Sequence, residues 1–185
     1  MRSSDSTKKI VMTALFAALA CAATMAIRIP IVGTGGYVHL GDAIVILSGV
    51  LLGPAWGFLA AGVGSAMADL LGGYFIYVPI TFAIKGLVAL ASGLVARAVR
   101  ERPRLRHAAA VFGGLADVIL VSGGYFVCEI PMYGLSAAAA SVLPNAFQGL
   151  SGLVIASILY PIIISVPQLQ RLALTPGGST RGKRM

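Results

Sequence analysis

Charged residues are scarce in this sequence. They make up 11% of the 185 residues, whereas ordinary soluble domains carry about 25%. Hydrophobic residues make up 58%, and the mean hydropathy is +0.92. No soluble core absorbs that much apolar surface. The composition excludes a soluble globular domain and indicates an integral membrane protein with several transmembrane helices.

Cysteine is nearly absent too. The two cysteines, Cys21 and Cys128, have no CxxC spacing and lie in or beside apolar runs. A zinc site or a disulfide framework would need more cysteines at closer spacing. We therefore interpret both as packing residues and expect no metal site in the chain.

Catalytic motifs are also lacking. The segment 177–183 fits GxxxxGK, but Arg184 replaces the Ser or Thr of a nucleotide-binding loop. Ser65 lies in a glycine-rich stretch, yet His39 and His107 are expected at opposite ends of the helices, so no Ser–His pair is evident. We expect no enzyme, no cofactor and no ATPase within this chain.

The apolar runs predict six transmembrane helices in one domain, 1–170, followed by a basic, disordered tail, 171–185. Gly53 and Pro54 divide an uncharged run into helices 2 and 3, and Pro79 opens helix 4. The predicted helices are 10–27, 42–52, 54–69, 79–97, 108–127 and 142–166. Between them, 29–41 is predicted as a glycine-rich loop and 128–141 as a loop or short interfacial helix.

Positive charge is concentrated in three segments. Twelve of the 14 Lys and Arg residues lie near the N-terminus, in 97–106 or in the C-terminal tail. Six spans place these three segments on one side of the membrane, and cytoplasmic segments carry the positive excess. The pattern predicts a plasma-membrane protein with both termini cytoplasmic. The net charge of +8 then suits anionic lipid and requires no nucleic acid.

Three ionisable residues are predicted at membrane depth, where charge is costly and usually faces a cavity or a partner. Lys85 lies about 9 Å below the outer end of helix 4, and Asp69 is its expected counter-ion. This pair is either part of a pocket or structural, and a snorkelling lysine is the other alternative. For Asp117 we favour an interhelical hydrogen bond.

Polar and aromatic residues gather at the predicted outer ends of the helices, as expected for a small-ligand pocket. Asn145 and Gln148 share one face of helix 6 with Ser151 and Gly152. Two simpler interpretations remain: Asp42 as the N-cap of helix 2, which we favour over a ligand contact, and the tyrosines as an interfacial belt. The gathered residues are Tyr37, His39, Asp42, Tyr74, Tyr77, Glu129, Tyr133, Asn145 and Gln148.

A row of alanines recurs every four residues in helix 1, at Ala14, Ala18, Ala22 and Ala26. Small side chains on one face let another helix approach closely. The row is therefore either a docking stripe for a partner or a packing surface within the chain's own bundle.

The order and spacing of these helices and motifs resemble those of the S component of energy-coupling factor (ECF) vitamin transporters. The S component is the substrate-binding membrane subunit. The resemblance covers almost the whole chain. It includes six spans, the helix 1 alanines, the segment 37–42, Leu52-Gly53-Pro54, Ala68-Asp69-Leu70-Leu71, Ile84-Lys85-Gly86, and Leu143-Pro144-Asn145 through Gln148.

The resemblance implies an all-α, six-helix bundle that binds a vitamin or precursor from outside under loop 1. It also implies a coupling subunit, contacted by Ala14, Ala18 and Ala22, and two ATPases that use ATP. Hydroxymethylpyrimidine or a pyridoxine-like compound ranks first as substrate, before pantothenate or riboflavin. A stand-alone secondary transporter or channel and a membrane-embedded enzyme are the alternatives. The substrate-binding candidates are Lys85, Glu129, Tyr133, Asn145, Gln148, His39, Tyr37, Tyr77 and Asp69.

Overall fold

The computed structural model describes residues 2–102, 105 and 107–166. Within these residues it contains six α-helices and one short antiparallel hairpin. The elements are α1 Arg2–Ala26, β1 Arg28–Pro30, β2 Tyr37–His39, α2 Asp42–Leu52, α3 Pro54–Gly72, α4 Val78–Val99, α5 Ala108–Tyr133 and α6 Leu135–Ile164. The all-helical class is confirmed. The tail predicted over 171–185 lies outside the described residues.

Five of the helices are long and apolar enough to cross a bilayer, whereas α2 is short. Its 11 residues extend about 16 Å at 1.5 Å per residue, which is half of a hydrocarbon core. The break between α2 and α3 falls at the predicted place. Gly53 has a positive φ of 84°, which glycine adopts readily, and Pro54 begins the next helix.

The segment predicted as a loop between helices 1 and 2 contains the hairpin. In its register Arg28 pairs with His39, Ile29 with Val38 and Pro30 with Tyr37. We call the end of the bundle that carries β1 and β2 the hairpin end. Here α1, α3 and α5 finish, and α2, α4 and α6 start.

The prediction of a loop or separate short helix over 128–141 is wrong. The structure continues α5 to Tyr133 and starts α6 at Leu135, with Gly134 as the sole connecting residue. Gly134 has a φ of 85°, so one residue is enough to reverse the chain. Pro131 lies in the final turn of α5, where a proline removes one backbone donor without ending the helix.

Close helix contacts occur where glycine leaves no side chain. A Cβ on Gly49 would stand 2.1 Å from the carbonyl oxygen of Ala89, and one on Gly64 would stand 2.3 Å from that of Ala17. These contacts hold α2 against α4 and α3 against α1, the pattern by which small residues bring membrane helices together.

Candidate functional site

A pocket opens at the hairpin end, between the hairpin and the helices beneath it. The hairpin and its turn contribute Ile31, Gly36, Tyr37 and His39. The bundle contributes Asp69 from α3, Tyr77 and Thr81 at the start of α4, Tyr125 and Glu129 from α5, and Asn145 from α6. Six of the nine predicted substrate-binding residues thus lie together: Tyr37, His39, Asp69, Tyr77, Glu129 and Asn145.

Two tyrosines tie the rim of the pocket to acidic residues. The Tyr37 hydroxyl donates to Asp69 Oδ1 at 2.7 Å, and the Tyr77 hydroxyl donates to Glu129 Oε1 at 2.9 Å. Ser141 donates to the other oxygen of Glu129. Burial raises the pKa of both hydroxyls; Asp69 raises that of Tyr37 further, and Tyr133 and then Glu129 raise that of Tyr77, so each hydroxyl remains a donor. With these bonds formed the cavity is about 20 Å³, close to the size of one water molecule.

The sequence analysis missed Thr81 and Tyr125, whose hydroxyls lie 2.8 Å apart. A signal was present in the spacing. Thr81 precedes Lys85 by four residues and Tyr125 precedes Glu129 by four, so each shares a helix face with a predicted residue. Ile31 and Gly36 carried no comparable signal, because their position depends on the hairpin.

Lys85 does not pair with Asp69, contrary to the prediction. Its Nζ lies 2.6 and 2.8 Å from the two carboxylate oxygens of Asp42, and both side chains are fully buried. The reason is depth. Lys85 lies seven residues into α4, about 10 Å from its start, and the short helix α2 begins at that level. The Asp69 carboxylate instead accepts from Tyr37 at the rim.

The predicted N-cap role of Asp42 is also wrong. Gly41 occupies the N-cap position, and no side chain caps the helix. Asp42 is the first residue of α2, and its carboxylate points into the bundle because it accepts from Lys85 and from Gln148 Nε2, the latter at 2.8 Å.

Gln148 connects this buried ion pair to the hairpin. Its Oε1 accepts from the backbone N–H of His39 at 2.8 Å, while its Nε2 donates to Asp42. Lys85 and Gln148 are therefore not among the pocket-lining residues and form a layer that supports them. Tyr133 is the third predicted residue outside the lining: it is 36% exposed and stacks on Tyr77 with ring centroids 6.4 Å apart.

Two polar atoms of the pocket lining have no hydrogen-bond partner among the described residues: Asp69 Oδ2, an acceptor, and Asn145 Nδ2, a donor. Both side chains are buried, at 3% and 2% exposure. A buried polar atom without a partner costs about 1–3 kcal/mol. Both atoms therefore have an unused capacity to form a hydrogen bond.

Asp117 lies deeper, and the expected interhelical hydrogen bond to it is not seen among the described residues. It is fully buried, and neither carboxylate oxygen has a donor within reach.

The alanine row of α1 faces outward. Ala14, Ala18, Ala22 and Ala26 are all exposed, whereas Phe16 and Ala20 on the opposite face are buried. The alternative that the row packs against the chain's own helices is therefore wrong for these four side chains.

Known proteins with similar sequences are consistent with this architecture. A family model for the S component of ECF-type riboflavin transporters matches residues 4–165. An uncharacterised protein of Pyrococcus woesei is 35% identical over 132 residues, which cover 71% of this chain and 85% of that protein. The thiamine precursor transporter HmpT of Lactococcus lactis subsp. cremoris (strain MG1363) is 27% identical over 157 residues, 84% of this chain and 87% of the transporter. Because the family match extends over nearly the whole sequence, this chain belongs to the S component family of ECF-type riboflavin transporters.

Proposed function

We propose that this protein is the substrate-binding subunit of an ECF-type importer and that it binds a vitamin precursor in the pocket at the hairpin end. A transmembrane coupling subunit and two ATPases would complete the importer. The observation that carries the proposal is the pocket with a free acceptor and a free donor, Asp69 Oδ2 and Asn145 Nδ2.

The charge of the pocket favours a neutral or amine-bearing ligand. Its lining includes two acidic residues, Asp69 and Glu129, and the described lining has neither lysine nor arginine. Lys85, which suited a carboxylate or phosphate in the sequence, has both of its short contacts on Asp42. A ligand carboxylate or phosphate would meet acidic groups without a partner cation, which is costly in a buried site. Pantothenate is therefore disfavoured.

The free atoms favour a nitrogen heterocycle with an amino group. Asp69 Oδ2 accepts a hydrogen bond from an exocyclic amine, and Asn145 Nδ2 donates one to a ring nitrogen. Tyr77 and Tyr125 supply aromatic walls, with ring centroids 6.1 Å apart. Hydroxymethylpyrimidine carries both groups. The similarity to a thiamine precursor transporter supports this choice.

Riboflavin is the second candidate, since the family model carries its name. Its three-ring system is larger than a single pyrimidine. With a cavity of about 20 Å³, any ligand requires the Tyr37–Asp69 and Tyr77–Glu129 bonds to open, and the three-ring system requires more displacement. Size therefore ranks the pyrimidine first.

We place the hairpin end on the outside of the plasma membrane. Arg97, Arg100 and Arg102 lie at or just after the end of α4, away from the hairpin, and cytoplasmic segments carry the positive excess. A single cysteine at position 102, with Cys21 and Cys128 replaced by alanine, should resist a membrane-impermeant thiol reagent in intact cells and react after permeabilisation. Labelling in intact cells would contradict this orientation.

Calorimetry on purified protein tests the ligand. Hydroxymethylpyrimidine should bind more tightly than pyridoxine or riboflavin, and pantothenate should not bind measurably. Native mass spectrometry of freshly purified protein should reveal the same compound. Tightest binding of riboflavin would overturn the pyrimidine assignment but keep the family function, whereas no binding of any of the four would place the pocket elsewhere.

Uptake into vesicles separates an importer subunit from a stand-alone transporter. Vesicles that contain this chain alone should not accumulate ligand, and those that also contain a coupling subunit and its ATPases should do so when ATP is present. Accumulation by the chain alone would favour the secondary transporter.

A further inference from the structure

A second buried cluster lies beneath the pocket and is formed by three charged residues from three helices. Asp42 of α2, Lys85 of α4 and Asp117 of α5 are each fully buried. His39 lies above them, and α6 contributes Gln148 and Gly152, neither of which titrates. Tyr125 of α5 also faces the cluster, with its ring centroid 5.8 Å from Lys85 Nζ, and Asp69 of α3 is near enough to Lys85 to interact electrostatically. Together with His39, these are the further titratable groups around the cluster in the described structure.

The two carboxyl groups of this cluster are neighbours. A Cβ on Gly152 would stand 2.7 Å from Asp42 Cβ and 3.1 Å from Asp117 Oδ2, so both side chains pass over the same glycine. Asp42 Cβ and Asp117 Oδ2 therefore both lie close to the same point beside Gly152. Two ionised carboxylates can only accept hydrogen bonds, and Asp117 has no donor among the described residues.

The charge of the cluster does not balance when both acids are ionised. Lys85 has its two short contacts with Asp42 and supplies one positive charge against two negative ones. His39 adds no charge near neutral pH, because burial lowers its pKa to about 4. An uncompensated charge within the membrane is costly. A single proton on one of the two acids removes the excess negative charge and also supplies the missing donor, because a protonated carboxyl group is neutral and donates a hydrogen bond.

We propose that Asp42 and Asp117 hold a single proton between them, carried on Asp117 and donated in a hydrogen bond to the Asp42 carboxylate. The proton comes from a hydronium ion of the solvent, whose O–H bond breaks as the O–H bond of Asp117 forms and which leaves as water. The cluster is then neutral, with the sequence Asp117–H, Asp42 carboxylate and Lys85 ammonium. A bound sodium ion would balance the same charge, and a dependence of stability on sodium distinguishes it from a proton.

This proton supports the hairpin. Asp42 also accepts from Gln148, and Gln148 accepts from the backbone N–H of His39. Repulsion between two ionised acids would displace Asp42 and weaken the link to β2. Loss of the proton should therefore loosen the rim that carries Tyr37. The effect of proton loss on ligand affinity rests on the proposed function. The existence of the proton does not.

Infrared spectroscopy of the ligand-free protein tests the proton directly. Near neutral pH, wild type should show the C=O stretch of a protonated carboxylic acid, and Asp117→Asn should lose it. Labelling wild-type protein with 13C-aspartate should shift the same band, a measurement that requires no variant to fold. Glu101→Gln, which changes an exposed carboxylate, should leave the band in place. Absence of the band in wild type, or its persistence in Asp117→Asn, would overturn the proposal.

Thermal stability supplies a second readout. An acid that is protonated when folded and ionised when unfolded makes stability fall as pH rises above about 4, the pKa of an unfolded aspartic acid, so Asp117 should contribute a loss of melting temperature in wild type over that range. Asp117→Asn keeps a donor for Asp42 without titrating and should lose less over that range. Equal losses in both proteins would contradict the proposal, as would a wild-type loss that sodium, but not potassium, reverses.

Discussion

Lys85 and Asp42 form a fully buried ion pair in which Nζ lies 2.6 and 2.8 Å from the two carboxylate oxygens. The pair joins the third of α4 nearest the hairpin end to the first residue of α2. Since α2 is only 11 residues long, this contact and the glycine contacts along α2 fix its depth. Lys85, which the sequence analysis treated as a candidate ligand contact, therefore helps to hold α2 in position.

Lys85→Met should lower the stability of the folded protein strongly. Removing one partner of a buried pair leaves an uncompensated charge and costs roughly 3–5 kcal/mol. Adding Asp42→Asn removes that charge, so the double variant should recover part of the loss. The increase in melting temperature caused by a fixed ligand concentration should remain near the wild-type value in the double variant, because that increase follows the ratio of ligand concentration to dissociation constant. A large decrease in this increment would mean that Lys85 touches the ligand.

Asn145→Ala should weaken ligand binding while the protein remains folded. Its Nδ2 has no partner among the described residues, so its removal disturbs no hydrogen bond of that atom. A lost buried hydrogen bond of about 1–3 kcal/mol corresponds to roughly 5- to 150-fold in affinity. Ser157→Ala is the matched control, because Ser157 Oγ on the same helix is also buried without a partner but lies outside the pocket lining. Equal affinities of the two variants by calorimetry would remove Asn145 from the site.

His39 should make the ligand-free protein less stable in mild acid. Burial lowers its pKa to about 4, and the nearby Lys85 ammonium acts in the same direction. The unfolded histidine has a pKa of about 6.5, so between these values the unfolded state binds more protons and stability falls as pH falls. Over the whole interval the loss is on the order of 3 kcal/mol.

His39→Asn provides the control for this pH effect. In wild type His39 Nδ1 accepts from the N–H of Gly41 at 3.0 Å, and an asparagine oxygen also accepts without titrating. Melting temperatures measured from about pH 7 to pH 5 should decline less in His39→Asn than in wild type. The same decline in both proteins would assign the acid sensitivity to another group.

The fold was largely predictable because its signals are local. Apolar runs mark the long helices, and Gly53 with Pro54 marks the break between α2 and α3. Gly134 was a weaker local signal, because a single glycine turns the chain between α5 and α6 without a neighbouring proline at the start of the next helix.

The pairing of the site residues was much less predictable. Whether Lys85 meets Asp69 or Asp42 depends on the depth at which α2 begins, a consequence of tertiary packing. Helical spacing identified Asn145 and Gln148 as members of one face, and both are buried. The spacing did not reveal that Asn145 lines the pocket, whereas Gln148 accepts a hydrogen bond from the backbone of His39 in β2.

Ala18→Trp should block ATP-driven uptake and leave ligand affinity nearly unchanged. Ala18 is exposed on α1 and lies outside the pocket lining, so a large side chain there alters an outward surface and not the site. A helix that approaches through small residues cannot accommodate an indole ring, so assembly with the coupling subunit should fail. Ile119→Trp is the matched control: Ile119 is 71% exposed on α5, away from the alanine row. Calorimetry would measure binding, co-purification would measure assembly, and vesicle uptake would measure transport. If Ala18→Trp assembles and transports as well as Ile119→Trp does, the alanine row faces lipid and the coupling surface lies on another helix.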